Sequence, residues 1–211
     1  KLDGNANDSW GTNNGTNNGA ILSSDCISKQ CYFFDGASYI STTNSLSNSD
    51  KTMFLWVKPT ISMLSGESVF AGNVAVTTHR FYIGYNTGNF WIGLGTSTSS
   101  FSLLDTSYNK WHNFVLVSEG STFRFYQNGF LVNSSSWSGT NEGIINIGRA
   151  GGSNNVYFTG LIDEVQIYDK ALSSFQIKEN YFIGLNKLYK NNGISSIELK
   201  DRLAEINLFE N

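Results

Sequence analysis

Charge is scarce in this chain. Asp, Glu, Lys and Arg make up only 15% of its 211 residues, the net charge is −3, and Lys and Arg form no run. Nucleic-acid binding needs a basic footprint, and so does attraction to an anionic membrane surface. Neither is expected. Long apolar runs are missing as well: none approaches the roughly 20 residues of a spanning helix, so no direct membrane insertion is expected within the chain. Proline occurs once, at Pro59, and histidine twice, at His79 and His112. There is no H-E-x-x-H and no G-x-S-x-G. Glycoside hydrolysis needs two carboxylates facing each other across a sugar, and no E-x-D-x-E strand supplies them. Asp163 and Glu164 are adjacent, so a regular strand would send them to opposite faces. The chain is expected to be non-enzymatic.

What is present is apolar and aromatic. Hydrophobic residues reach 40% and aromatics 14%, enough for one large all-β domain with a sizeable core. The polar surface is Asn, Ser, Thr and Gly, the composition of many exported β-proteins. Cys26 and Cys31 are the only cysteines. A disulfide between them would close a small loop and imply an oxidising compartment, outside the cell or at its surface; two free thiols are the alternative. C-x4-C with no His nearby is poor zinc spacing. The chain shows no signal peptide and is expected to be a mature or trimmed fragment. Three sequons, at Asn7, Asn14 and Asn133, matter only in a host that glycosylates them.

Residues 1–24 are rich in Asn and Gly and read as loop. From Cys31 to Tyr168, short strands alternate with Gly, Asn and Ser turns. Phe54 and Trp56 share one face of a strand with Leu55 and Val57 on the other, the mark of a central strand. Arg80–Tyr85 and Asn89–Leu94 form one hairpin, and Thr122–Tyr126 with Phe130–Asn133 another. Antiparallel hairpins without a βαβ rhythm predict a jelly-roll β-sandwich over residues 1–172. The texture then changes. Ser173-Ser174-Phe175-Gln176 is a capping box, Asn191-Asn192-Gly193 a stop, and Ser195-Ser196-Ile197-Glu198 a second box. Residues 173–211 are predicted to be two amphipathic helices, a C-terminal α-helical hairpin.

The stretch Thr159 to Leu172, TGLIDEVQIYDKAL, is the most specific. Regular alternation puts Ile162, Glu164, Gln166 and Tyr168 on one face and Leu161, Val165 and Ile167 on the other, with Asp163 among them. An acid on an apolar face needs backbone donors, a cation or a metal ion to satisfy it. Gly160 through Ser173 resembles the closing motif of laminin-G-like, concanavalin A-like jelly rolls. Other segments agree in order: Phe34-Asp35-Gly36 with Tyr39-Ile40, Phe54 to Pro59, Trp111-His112 with Phe114 to Val117, Tyr126 to Gly129, and Ile145 to Gly148. The resemblance covers roughly residues 1–181. More loosely, Tyr181 to Leu203 resembles the C-terminal extension of pilin-like or surface-anchored proteins with such heads.

The resemblance implies a G-N-x-x-D-S-x-G loop beside the I-D-E strand, often around calcium. Carried over by motif, it names Asn5, Asp8 and Asp163 as ligands of a structural calcium ion, against an alternative of Asx turns. Trp10 departs from the pattern, which favours a small residue there. An EF-hand is rejected, because Asp8 and Asn14 stand where Gly and Glu belong. For sugar recognition, aromatic faces near amide-rich turns suggest Tyr85, Trp91, Trp137, Asn154 and Tyr157, with Trp137 expected to be exposed in a polar loop. Core packing is the alternative for each aromatic. The expected function is adhesion or recognition outside the cell, through a glycan or glycoprotein partner. The alternative is a pilin-like or filament subunit head that self-assembles through its C-terminal helices. A tail that exposes Phe182, Leu185, Leu188 or Leu203 would favour assembly.

Overall fold

The computed structural model describes residues 2, 4–46, 50–61, 67–73, 80–86, 89–140, 143–150 and 156–208. The first strands are β1 (Gly15–Asn18), β2 (Ile21–Ser23), β3 (Cys31–Asp35), β4 (Tyr39–Leu46), β5 (Lys51–Pro59), β6 (Glu67–Asn73) and β7 (Arg80–Asn86). Then come β8 (Asn89–Gly95), β9 (Ser97–Phe101), β10 (His112–Glu119), β11 (Thr122–Gln127), β12 (Phe130–Ser136), β13 (Gly143–Ile147) and β14 (Thr159–Tyr168). Two helices follow, α1 (Ser174–Lys190) and α2 (Ser196–Leu208). The strands form two antiparallel seven-stranded sheets, β1-β4-β13-β6-β7-β8-β9 and β12-β11-β10-β5-β14-β3-β2. This is the jelly-roll sandwich expected. Residues 1–24 are not all loop: β1 and β2 are short edge strands. An edge needs one ladder and one covered face, so Asn-rich sequence can supply it.

The core has two layers because the second sheet is apolar on both faces. Met53, Leu55 and Val57 of β5 point between the sheets, with Phe70, Phe90, Phe114 and Phe125. Phe54 and Trp56 point outward, with Val115, Val117 and Tyr126. Helix α1 covers them with Ile177, Tyr181, Leu185 and Leu188, and Tyr181 stacks on Trp56 at 5.4 Å between ring centroids. Burial pushes the Tyr181 phenol up to about 12. Ser173 caps α1 in the expected reciprocal box with Gln176. Helix α2 is tied down by Arg202, whose Nη1 donates to the Trp111 carbonyl at 2.9 Å. The tail therefore folds back on its own sandwich: Leu185 and Leu188 are fully buried, Leu203 partly so, while Phe182 is 47% exposed.

One strand departs from its predicted register. The pairing of β14 with β5 shifts between Asp163 and Gln166, and Glu164 takes φ +49°. This bulge reverses the alternation. Ile162 packs between the sheets before it, Val165 and Ile167 after it, and Leu161 and Tyr168 face the helices. Asp163 and Glu164 consequently both turn toward the helix side rather than to opposite faces.

Candidate functional site

With α1 and α2 packed on the second sheet, the outer face of the first sheet is the broad face that no described helix covers. Its register aligns one residue from each strand: Thr16, Ser41, Asn146, Gly72, Tyr82, Gly93 and Thr98. Their neighbours Ile40, Ile147, Ala71, Ile83 and Ile92 point inward to the core, so by alternation this row points away from it; its central members Asn146, Gly72, Tyr82 and Gly93 are nonetheless buried, and only Thr16, Ser41 and Thr98 at its ends reach solvent. It carries hydroxyls, an amide, an aromatic ring and no charge. The glycines make room for the ring. A Cβ on Gly72 would stand 2.1 Å from Tyr82 Cβ, and one on Gly93 2.2 Å from Tyr82 Cε1. Tyr82 lies down between them and packs edge-on against Trp91 at 5.3 Å. Burial pushes its phenol well above the usual range.

A second, parallel lane lies two residues along. Trp91 is at its β8 end, flanked by Gly84 and Ser100, and Tyr39 at its β4 end, paired with Asn18. Both rings are half-buried. Tyr157 tilts against Tyr39 at 6.4 Å, and the Arg149 guanidinium stacks 3.7 Å above the Tyr39 ring. β4 and β8 are four interstrand steps apart, so the aromatic ends stand roughly 19 Å from each other. Asn146 Nδ2 is buried and has no hydrogen-bond partner among the described residues.

Of the predicted sugar-binding residues, this face unites Trp91 and Tyr157. Tyr85 is corrected: it points between the sheets at 1% exposure, packed against Phe70, because its parity is opposite to that of Tyr82 and Gly84. Trp137 is corrected too. It is 9% exposed, its backbone N–H donates to the Ser121 carbonyl, and its ring turns inward against the core. Asn154 lies outside the described residues, as does His79. The sequence reading missed Tyr82, Tyr39 and Arg149. The signal available was glycine at outward positions beside aromatics, in F-A-G, Y-I-G-Y and W-I-G-L.

The three residues named for calcium are not brought into one site. Asp163 is fully buried on the helix side, accepting from the Ser28 and Glu164 N–H groups at 3.0 and 2.7 Å. It lies beside the disulfide that Cys26 and Cys31 form, as expected. Asp8 lines a hollow of about 290 Å³ with Val165, Ile167 and Asp169, on the core side of β14. The Trp10 amide, with those of Asn13 and Gly11, holds the Asp8 carboxyl below the usual carboxylate range. Asn5 Oδ1 accepts from Asn7 N–H. All three are Asx-type or amide-satisfied groups, and the bulge separates Asp163 from the other two.

Carboxylates do line two described hollows: Asp8 and Asp169 the one of about 290 Å³, and Asp105, Glu198, Asp201 and Glu205 one of about 410 Å³ beside α2, where Glu198 is paired with Arg202 at 2.7 Å. Asp163 and Glu164 are buried, and the Lys187 ammonium holds Glu164 at 2.9 Å. His112 is buried in the core with Nε2 2.7 Å from the Ser107 carbonyl. A hollow of about 750 Å³ opens between Phe130, Leu131 and Leu172 at the start of α1, but its Arg124 is paired with Glu119 at 2.8 Å. Among the described residues no helix is long and apolar enough to cross a membrane.

The chain belongs to the concanavalin A-like lectin/glucanases superfamily, whose laminin G-type family model matches residues 34–178. Curated proteins give no sequence match. Among solved structures it is similar to domain 4 of AbnA, a GH43 extracellular arabinanase from Geobacillus stearothermophilus, in complex with arabinotriose. That match has 20% identity and a TM-score of 0.65, and covers 83% of this chain and 92% of that one. It is also similar to the binding domain of Paraclostridial Mosquitocidal Protein 1, with 20% identity, TM-score 0.67 and 83% of this chain covered. The chain spans about half, 48%, of that domain's length. A native heptameric SAP-like pentraxin from Limulus polyphemus matches at 16% identity and TM-score 0.58, over 69% of this chain and 78% of its own. At these identities the likeness is one of fold.

Proposed function

We propose that this chain is a non-catalytic carbohydrate-recognition module of a secreted or surface protein, serving adhesion to a glycan or glycoprotein. It binds through the outer face of the first sheet, at the partly exposed rings of Trp91, Tyr39 and Tyr157. The observation that carries this reading is the lane that ends in the half-buried rings of Trp91 and Tyr39, with Tyr157 beside the latter and the hydroxyls of Ser41 and Ser100 nearby. Sugars present apolar C–H faces and hydroxyl edges at once, and such a surface meets both. A span of roughly 19 Å between the aromatic ends suits an oligosaccharide rather than one sugar. The arabinotriose complex of the similar arabinanase domain supports the reading. The buried state of Asp163 and Glu164 supports a non-catalytic role.

The test is binding of the purified chain to a broad glycan panel, in calcium and again in excess chelator. Saturable binding to a defined glycan is expected; none, with the protein folded, would overturn the reading. A structural calcium ion belongs to the proposal at the N-terminal loop, where Asp8 and Asp169 line one hollow. A melting temperature equal in calcium and chelator would remove it.

The filament-subunit reading has one observation in its favour, the exposure of Phe175, Phe182 and Ile197 on the helices. A sedimentation series that stays monomeric at high concentration would count against it.

A further inference from the structure

Resting on the carbohydrate reading of this face, we propose that its ligand is an acidic glycan, with a sugar carboxylate received by Arg149. The guanidinium lies 3.7 Å above the Tyr39 ring and 5.9 Å from that of Tyr157. The backbone of Arg149 is itself bridged to Tyr157, which fixes where the side chain starts. The cation is thus held over the Tyr39 ring and beside that of Tyr157 at the β4 end of the lane, before any ligand arrives.

Its donors are mostly unspent. A guanidinium carries five N–H groups in a planar fork. One of them reaches the Tyr157 hydroxyl, at 3.4 Å, and Nε is buried without a partner among the described residues, so the two Nη groups are the ones a ligand would meet. Nor does Arg149 have a carboxylate partner among them. Four other described cations have one, Lys58 with Asp25, Arg124 with Glu119, Lys187 with Glu164 and Arg202 with Glu198, while Lys29, Arg80, Lys110, Lys170, Lys190 and Lys200 share its lack of an ion pair among the described residues. What sets Arg149 apart is its seat over an aromatic ring on this face, which positions an unpaired cation for a group outside the chain. A stacked arginine is weakly hydrated, and its planar fork matches a carboxylate bidentately. The Tyr157 hydroxyl, accepting from Arg149, keeps its own proton to donate to the same carboxylate or to a ring hydroxyl. A uronic or sialic acid unit at this end, with neutral sugars continuing toward Trp91 at the far end of the same lane, fits the order of groups across the sheet.

The experiment uses matched pairs: sialyllactose with lactose, trigalacturonate with its methyl ester, and hyaluronan with carboxyl-reduced hyaluronan. Each is titrated against the wild-type chain, Arg149→Gln and Arg149→Lys, with melting temperatures measured alongside. At least one acidic member should bind about tenfold or more tighter than its neutral counterpart. Arg149→Gln should erase that difference, and Arg149→Lys should restore part of it. A pair bound equally well by wild type, and unchanged in Arg149→Gln, would overturn the acidic ligand while leaving the glycan face standing. Binding of neutral members alone would do the same. Failure of the folded wild-type chain to bind any member would sink both proposals together.

Discussion

Lys187 of α1 donates to Glu164 of β14 across 2.9 Å, and Glu164 is the residue that occupies the left-handed region at the bulge. One residue thus turns the strand and anchors the helix. A non-glycine side chain is kept at φ +49° because the ion pair needs a carboxylate there. Glu164→Ala should destabilise the fold by about 2 kcal/mol, below the range for fully buried pairs because Lys187 is partly solvated. Glu164→Gly loses the same pair but relieves the backbone, and should be about 1 kcal/mol more stable than Glu164→Ala. Denaturant titration of the two variants reads the difference directly.

Gly184 tests the docking of α1. In a free helix, glycine to alanine gains about 1 kcal/mol. Here a Cβ at position 184 would stand 2.4 Å from Trp56 Cζ2, inside the layer where Tyr181 stacks on the same indole. Gly184→Ala should therefore destabilise, by about 1–3 kcal/mol. A gain in melting temperature would mean the helix is not seated on Trp56.

The disulfide closes a small loop whose Ile27 carbonyl accepts from Asn191 beyond α1, and whose Ser28 N–H donates to Asp163. Replacing both Cys26 and Cys31 by Ser should cost about 2 kcal/mol by loop-closure entropy. Unfolding of the wild type with and without reductant should differ by a similar amount.

Acid should weaken the fold through His112. Burial pushes its imidazole below the ordinary value of 6.5, against the Ser107 carbonyl and Asp105, whose Oδ2 lies 3.9 Å from Nδ1. The unfolded chain then takes up the proton first. Stability is flat above about pH 7 and falls as pH drops through about 6.5 toward the lower folded value. His112→Gln should flatten that slope when stability is measured from pH 7.5 to 5 in steps of about half a unit.

Much of the fold was legible because it rests on local signals. Phe54, Leu55, Trp56 and Val57 announce a strand covered on both faces, and Ser173 with Gln176 marks a helix start that the structure reproduces. The bulge at Glu164 was not legible, since nothing in I-D-E-V tells an extended glutamate from a left-handed one. The face of Trp91 and Tyr157 was half legible. Both were picked out as aromatics near turns, but parity alone separates Tyr82 from Tyr85, and parity depends on a register that only pairing fixes. Trp137 misled because its neighbours are polar, although one indole can turn inward from a polar loop.

The most direct measurement is glycan affinity of Trp91→Ala and Tyr157→Ala beside the wild-type chain, with melting temperatures recorded for all three. Both substitutions alter partly exposed rings on the outer face of the first sheet and leave the layer under α1 intact. The account predicts saturable wild-type binding that weakens about tenfold or more in each variant while the fold persists. Undiminished binding by both folded variants would contradict it, and would move the recognition surface off the first sheet.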